Sequence, residues 1–133
     1  MSTELYIQGL APDGEVGLAV SRVLDAFGAS SDADNHGFHR AYYGTESYVD
    51  ICLHVSDGKV VYVTAIRPVD HPYFWTGVFR LLTDGPYVAY MPGSQVVAAS
   101  PDMQSAMPTS MIQALGKPIL VNDADEARNI LTA

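Results

Sequence analysis

Basic residues are scarce in this chain. Seven lysines and arginines stand against fifteen aspartates and glutamates among 133 residues, a formal net charge of −8. The seven are Arg22, Arg40, Lys59, Arg67, Arg80, Lys117 and Arg128, spaced singly along the sequence. Affinity for nucleic acid comes largely from lysine and arginine displacing counterions, so a phosphate backbone is not the expected ligand. Cysteine is scarcer still. Cys52 stands alone, which excludes an internal disulfide and any multi-cysteine zinc or iron–sulfur site. No apolar run approaches the length of a bilayer span, and the opening MSTELYIQGL lacks the basic-then-apolar order of a secretory signal. A cytoplasmic protein is therefore expected. Both glycine-rich nucleotide signatures, GxGxxG and GxxxxGKS/T, are missing as well.

Apolar residues make up 48 % of the chain, enough for one folded domain spanning 1–133 with its own core. Glu4 to Leu10 reads as a first strand. Asp13 can cap a helix running to about Phe27, with Val16, Val20, Val23, Leu24 and Phe27 as its apolar stripe and Gly28 as its stop. A strand over Arg40–Tyr43 follows. Ser47–Val55 then alternates, Val49, Ile51, Leu53 and Val55 on one face and Tyr48, Asp50, Cys52 and His54 on the other. The pair Asp57-Gly58 closes a two-residue hairpin onto Val60–Ile66. An uninterrupted register would set Val55 against Val60, Leu53 against Tyr62, Ile51 against Thr64 and Val49 against Ile66.

Pro72 suits the first turn of a helix from about His71 to Leu82, for which Asp70 is the expected cap. That helix is apolar around nearly its whole circumference and must be covered on more than one side. Tyr73, Phe74 and Trp75 cannot all point inward, so an exposed aromatic is expected there. A second hairpin, Tyr87–Met91 with Gln95–Ala99, turns at Pro92-Gly93. Pro101 and Pro108 open two helical pieces, Ile119–Val121 is a short strand, and Asn122 caps a final helix. Strands in hairpins, interrupted by helices without strict β-α alternation, predict an α+β domain, a largely antiparallel sheet built from two hairpins with three to four helices packed on it.

Three groups of residues invite a chemical reading. The stretch SSDADNHGFHRAYYG places Asp32, Asp34, His36 and Gly37 at positions one, three, five and six of a calcium loop, but Tyr43 at position twelve cannot supply the closing carboxylate. His36 and His39 with Asp34 would make at most an incomplete transition-metal site, since Gly37 argues against the helical backbone that aligns two imidazoles. A solvated loop is the simpler account, with a partner-contact role for its carboxylates and for Tyr42 and Tyr43 beside it. Secondly, Asp50, Cys52 and His54 share one strand face. Parallel side chains about 7 Å apart are poorly placed for a thiol–imidazole bond, and a buried cysteine with Asp50 reaching Arg67 across the hairpin is the plainer expectation. Thirdly, Asp70 and His71 at a helix start form a possible acid–base pair, or a cap and a surface residue.

Eight tyrosines beside an acidic excess suit a surface that grips another protein. The sequence thus predicts a small acidic protein-binding module that covers a basic surface on its partner, in its most concrete form an immunity-type inhibitor seated on a toxin-like protein. Asp32, Asp34, Tyr42, Tyr43 and Glu46 would make the contact, with Trp75 as an apolar anchor. No catalytic residue, metal or cofactor is assigned. Two alternatives stand beside it: a small enzyme using Cys52 with His54 or His71 with Asp70, and a homodimer built through the Tyr73–Leu82 helix or a sheet edge, with a ligand between the copies.

Overall fold

The computed structural model describes residues 4–10, 17–35, 37–44 and 47–133. Among them are eight strands and five helices, in the order β1 (Glu4–Gly9), β2 (Leu18–Ala19), α1 (Val20–Phe27), β3 (Phe38–Tyr42), β4 (Tyr48–Ser56), β5 (Lys59–Ile66), α2 (Pro72–Asp84), β6 (Tyr87–Tyr90), β7 (Val97–Ala98), α3 (Pro101–Ala106), α4 (Thr109–Leu115), β8 (Ile119–Leu120) and α5 (Ala124–Leu131). The sheet runs β3-β4-β5-β1-β6-β7-β8, with β2 added against β5. Every pairing is antiparallel except β7 with β8. The fold is the expected α+β arrangement, with five helices rather than three to four because each of the two pieces opened by Pro101 and Pro108 forms a helix of its own.

The core forms because one face of the alternating strands is apolar over most of its length. Leu5, Ile7, Val49, Ile51, Val63, Ala65, Ala89 and Val97 join Val23 and Phe27 of α1, Phe74, Val78 and Leu81 of α2, and Ala127 and Leu131 of α5 in one cluster. Residue 77 is glycine where α2 crosses α1, since a Cβ there would lie 2.5 Å from the Ala26 carbonyl oxygen. On the reverse of the sheet a smaller cluster sets Val88, Val96 and Ala98 against Met103 of α3 and Met107, with Met111, Ile112 and Leu115 of α4 packed alongside. The reverse face is covered there, over β6 and β7.

Several local expectations shift. Asp13 and Val16 lie outside the described residues, and Leu18–Ala19 pairs with β5, so α1 begins at Val20, with Ala19 as its N-cap. The β4–β5 turn has Asp57 and Gly58 both at positive φ (52° and 76°), as a two-residue primed turn requires. Val55 does face Val60, but the register slips between His54 and Val55, so that Leu53 meets Val63 and Ile51 meets Ala65. The slip follows from burial. Val60 and Val63 are both fully buried three residues apart, and only a bulge turns both toward the core while keeping apolar opposite apolar. Asp123, not Asn122, caps α5, its carboxylate accepting from the Glu126 amide at 2.8 Å while Glu126 reaches back to the Asn122 amide at 3.0 Å.

His71, not Asp70, caps α2. Its Nδ1 accepts from the Tyr73 amide at 3.1 Å, whereas Asp70 pairs with Arg128 of α5 at 3.3 Å. His71→Ala is expected to cost about 1 kcal/mol, the usual size of a lost cap, and Asp70→Ala less than half of that because the ion pair is exposed. Chemical denaturation of the two variants in parallel checks the order.

Candidate functional site

The stretch between α1 and β3 is a folded-back loop. Ser30 donates its amide to the Arg40 carbonyl at 3.0 Å and its hydroxyl accepts from the Arg40 amide at 3.1 Å, while Ala29 bridges Ala41. His39 places Nδ1 2.8 Å from the Ser30 carbonyl. Asp34 exchanges backbone hydrogen bonds with Phe38 and Gly37, and its carboxylate accepts from the Phe38 amide at 2.9 Å. The loop therefore lies along the outer edge of β3 and occupies backbone groups that an edge strand otherwise offers to another chain. Asp32 is exposed in it. His36 and Glu46 lie outside the described residues, and among the described residues no three histidine, cysteine or carboxylate groups are arranged to hold a metal ion.

Two residues expected at a contact surface lie in the core. Trp75 is 2 % exposed, edge-on to Phe74 with ring centroids 5.1 Å apart. Tyr73 is the exposed member of that aromatic trio, at 74 %. The helix turns its Phe74, Trp75 and Val78 side into the junction with α1 and α5, which leaves no place for a tryptophan anchor. Tyr43 is buried as well, its hydroxyl donating to the Phe27 carbonyl at the end of α1 at 2.9 Å. Burial holds its phenol well above the usual tyrosine range.

Among the described residues no helix covers the other half of the reverse sheet face, over β3, β4, β5 and β1. Period-two alternation puts Phe38, Arg40 and Tyr42 on it from β3, then Tyr48, Asp50, Cys52 and His54, then Tyr62, Thr64 and Ile66, then Glu4, Tyr6 and Gln8. Tyr6, Tyr62 and Phe38 belong to neither core cluster. Four rings form a continuous row across four strands. His54 meets Tyr62 at 4.9 Å, Tyr62 stacks on Tyr6 at 6.0 Å, and Tyr6 meets Tyr90 at 5.4 Å. Their hydroxyls are partly committed: Tyr6 donates to Glu4 at 2.5 Å and Tyr90 to Gln8 at 3.1 Å. The bond to the Glu4 carboxylate pushes the Tyr6 phenol up to about 12, and burial raises Tyr62 and Tyr90. The three phenols of the row are thus neutral near pH 7.

Beyond the row, Tyr42 (63 % exposed) packs against Tyr48 at 6.0 Å, and the Arg40 guanidinium lies 3.9 Å from the Tyr48 ring centre. Arg40 also holds Asp50 at 2.9 Å, directly across β3–β4. Asp50 therefore finds Arg40 where the hairpin pattern suggested Arg67. The Asp50, Cys52 and His54 trio is not drawn together: Asp50 goes to Arg40 and His54 to Tyr62, with Cys52 half-buried between them. Asp70 and His71 likewise turn to separate structural partners. Neither pair is assembled as a proton-transfer couple.

Compared with known protein families, curated proteins and solved structures, the chain matches none. No helix among the described residues is long and apolar enough to cross a membrane.

Proposed function

We propose that the protein is a binding module that grips a basic partner protein with the uncovered half of its sheet. The single observation that carries this reading is the ring row His54–Tyr62–Tyr6–Tyr90, half-exposed on a rigid four-strand platform. Tyrosines held by a sheet offer large contact area with little ordering cost, which is how energetic anchors of interfaces are built. Charge supplies the second support. The end of the platform where β3 begins and β4 turns into β5 carries Asp32, Asp34 and Asp57, and the whole chain is at −8, so a basic partner is steered toward it. The contact set thus keeps Asp32, Asp34 and Tyr42 from the sequence-based expectation and exchanges Tyr43 and Trp75 for Tyr6, Tyr62 and His54. The narrower form, an immunity-type inhibitor over the cationic cleft of a toxin, uses the same surface and rests on charge.

Affinity capture from native lysate at low and at high salt tests this, run with wild type, Tyr62→Ala and Tyr73→Ala. A basic protein is expected on the wild type, released as ionic strength rises. Tyr62→Ala should weaken retention about thirtyfold, as for an interface anchor, while Tyr73→Ala, on the opposite side of the sheet, retains it fully. Equal retention by wild type and Tyr62→Ala rejects this face.

A further inference from the structure

We propose that a second site, at the opposite end of the open face from the His54–Tyr62 end of the ring row, binds a small organic carboxylate in the cleft where β5 ends. The cleft encloses about 450 Å³ and is lined by Ser47, Tyr48, Asp50, Ile66, Arg67 and Val69. It shares the open sheet face with the ring row but lies at the other end of β4, roughly 20 Å from His54 by strand rise. That volume suits the body of a small ligand.

Arg67 carries the argument. It is one of two non-glycine residues at positive φ among the described residues, at 56°, and unlike Asp57 it sits in no two-residue hairpin turn. A left-handed backbone is costly for arginine, and the following Pro68 further restricts the residue before it. Such strain persists where a particular side chain is needed at a particular place. The guanidinium has no hydrogen-bond or ion-pair partner among the described residues, in contrast to Arg22, Arg40 and Arg128, which are each paired with an aspartate. A cation without a partner among the described residues thus lines a concave site in a strongly acidic protein.

The neighbouring groups specify the ligand's chemistry. Asp50 is the one carboxylate among the lining residues, and Arg40 holds it at 2.9 Å, so the local balance of these three side chains is positive. Arginine's planar fork matches a carboxylate in two-point contact. Tyr48, Ile66 and Val69 provide an aromatic and two aliphatic surfaces for a flat apolar body, and the Ser47 hydroxyl adds a donor. An anion with an unsaturated ring fits these walls, whereas inorganic phosphate leaves the apolar ones unused.

Benzoate is the probe, titrated into the isotopically labelled full chain and followed by backbone amide shifts. The expected result is a dissociation constant on the order of millimolar, with shifts concentrated at Ser47, Tyr48, Asp50, Ile66, Arg67 and Val69. Benzamide, of the same shape without the charge, and inorganic phosphate should each bind at least about tenfold more weakly. Arg67→Gly relieves the positive φ, so the variant should melt roughly 4 °C higher while losing benzoate binding by about tenfold or more. Absence of shifts at tenfold the expected constant, equal binding of benzamide, or unchanged binding by Arg67→Gly each overturns the proposal. None of these outcomes bears on partner capture through Tyr62.

Discussion

Gly17→Ala is expected to lower the unfolding free energy by more than about 3 kcal/mol. Residue 17 has φ +102°, a conformation that only glycine adopts without strain, and a Cβ added there would overlap the carbonyl of Val60. That carbonyl is the anchor of a buried clamp. Tyr87, fully buried, donates its hydroxyl to the Val60 oxygen at 2.6 Å and accepts from the Leu18 amide at 2.9 Å, tying β2, β5 and β6 together through one side chain. Alanine at 17 would push into both ends of the clamp, since its Cβ would also lie 3.1 Å from the Tyr87 oxygen. Tyr87→Phe removes the clamp without crowding and should cost about 2–3 kcal/mol, because a buried amide and a buried carbonyl both lose a partner. Gly93→Ala is the control: φ is again positive, at +80°, but nothing lies within 4 Å, so only backbone strain of about 1 kcal/mol is expected. Urea unfolding of the three variants should rank them in that order. A Gly17→Ala midpoint close to that of Gly93→Ala would show that the clamp tolerates crowding.

The clamp also shows where sequence patterns stop. Leu18 and Ala19 fall within a run from Val16 to Phe27 whose spacing is helical, and local propensity alone extends the helix back through them. Their pairing with β5 is fixed by Tyr87, a residue 69 positions from Leu18. The β4–β5 hairpin was legible because Asp57-Gly58 and strict alternation agree. Its bulge was not, because Val60-Val61-Tyr62-Val63 presents apolar groups in either register and only the core decides between them. In α2 the three consecutive rings predict that one is exposed, but which one depends on the directions of α1 and α5. The candidate surface was half visible. Alternation put Tyr48, Asp50, Cys52 and His54 on one face, yet Tyr6 and Tyr90 join that face only because β1 lies between β5 and β6, a non-local ordering that no local period encodes. Arg67 carried no signal at all, since a left-handed arginine has no composition to mark it.

Above pH 10, the ordinary tyrosine value, the protein is expected to lose stability steeply, and by proton linkage rather than by loss of any surface ion pair. Burial raises the phenols of Tyr43 and Tyr87 in the folded state, the effect on Tyr87 being partly offset by the Leu18 amide that donates to its oxygen. Tyr6 is pushed up to about 12 by its bond to Glu4, and Tyr62 and Tyr90 are raised by burial. A raised value means that the folded protein keeps its proton where the unfolded chain has released it. The stabilisation is therefore complete below pH 10 and drains away as pH climbs from 10 through the folded-state values. Each phenol still protonated in the fold and ionised in the unfolded chain adds a slope of about 1.4 kcal/mol per pH unit. Tyr43 and Tyr87 are the least accessible of the five and should dominate, for about 2–3 kcal/mol per unit between them. Urea midpoints measured from about pH 8 to about pH 11, alongside phenolate absorbance of the native protein, give the slope directly. Tyr43→Phe and Tyr87→Phe each start from lower stability, having lost a buried hydrogen bond, yet each should flatten the alkaline limb by about one proton's worth. An alkaline limb equally steep in both variants would mean that these two hydroxyls ionise as readily in the fold as outside it, and the buried phenols would then not be what ties stability to pH.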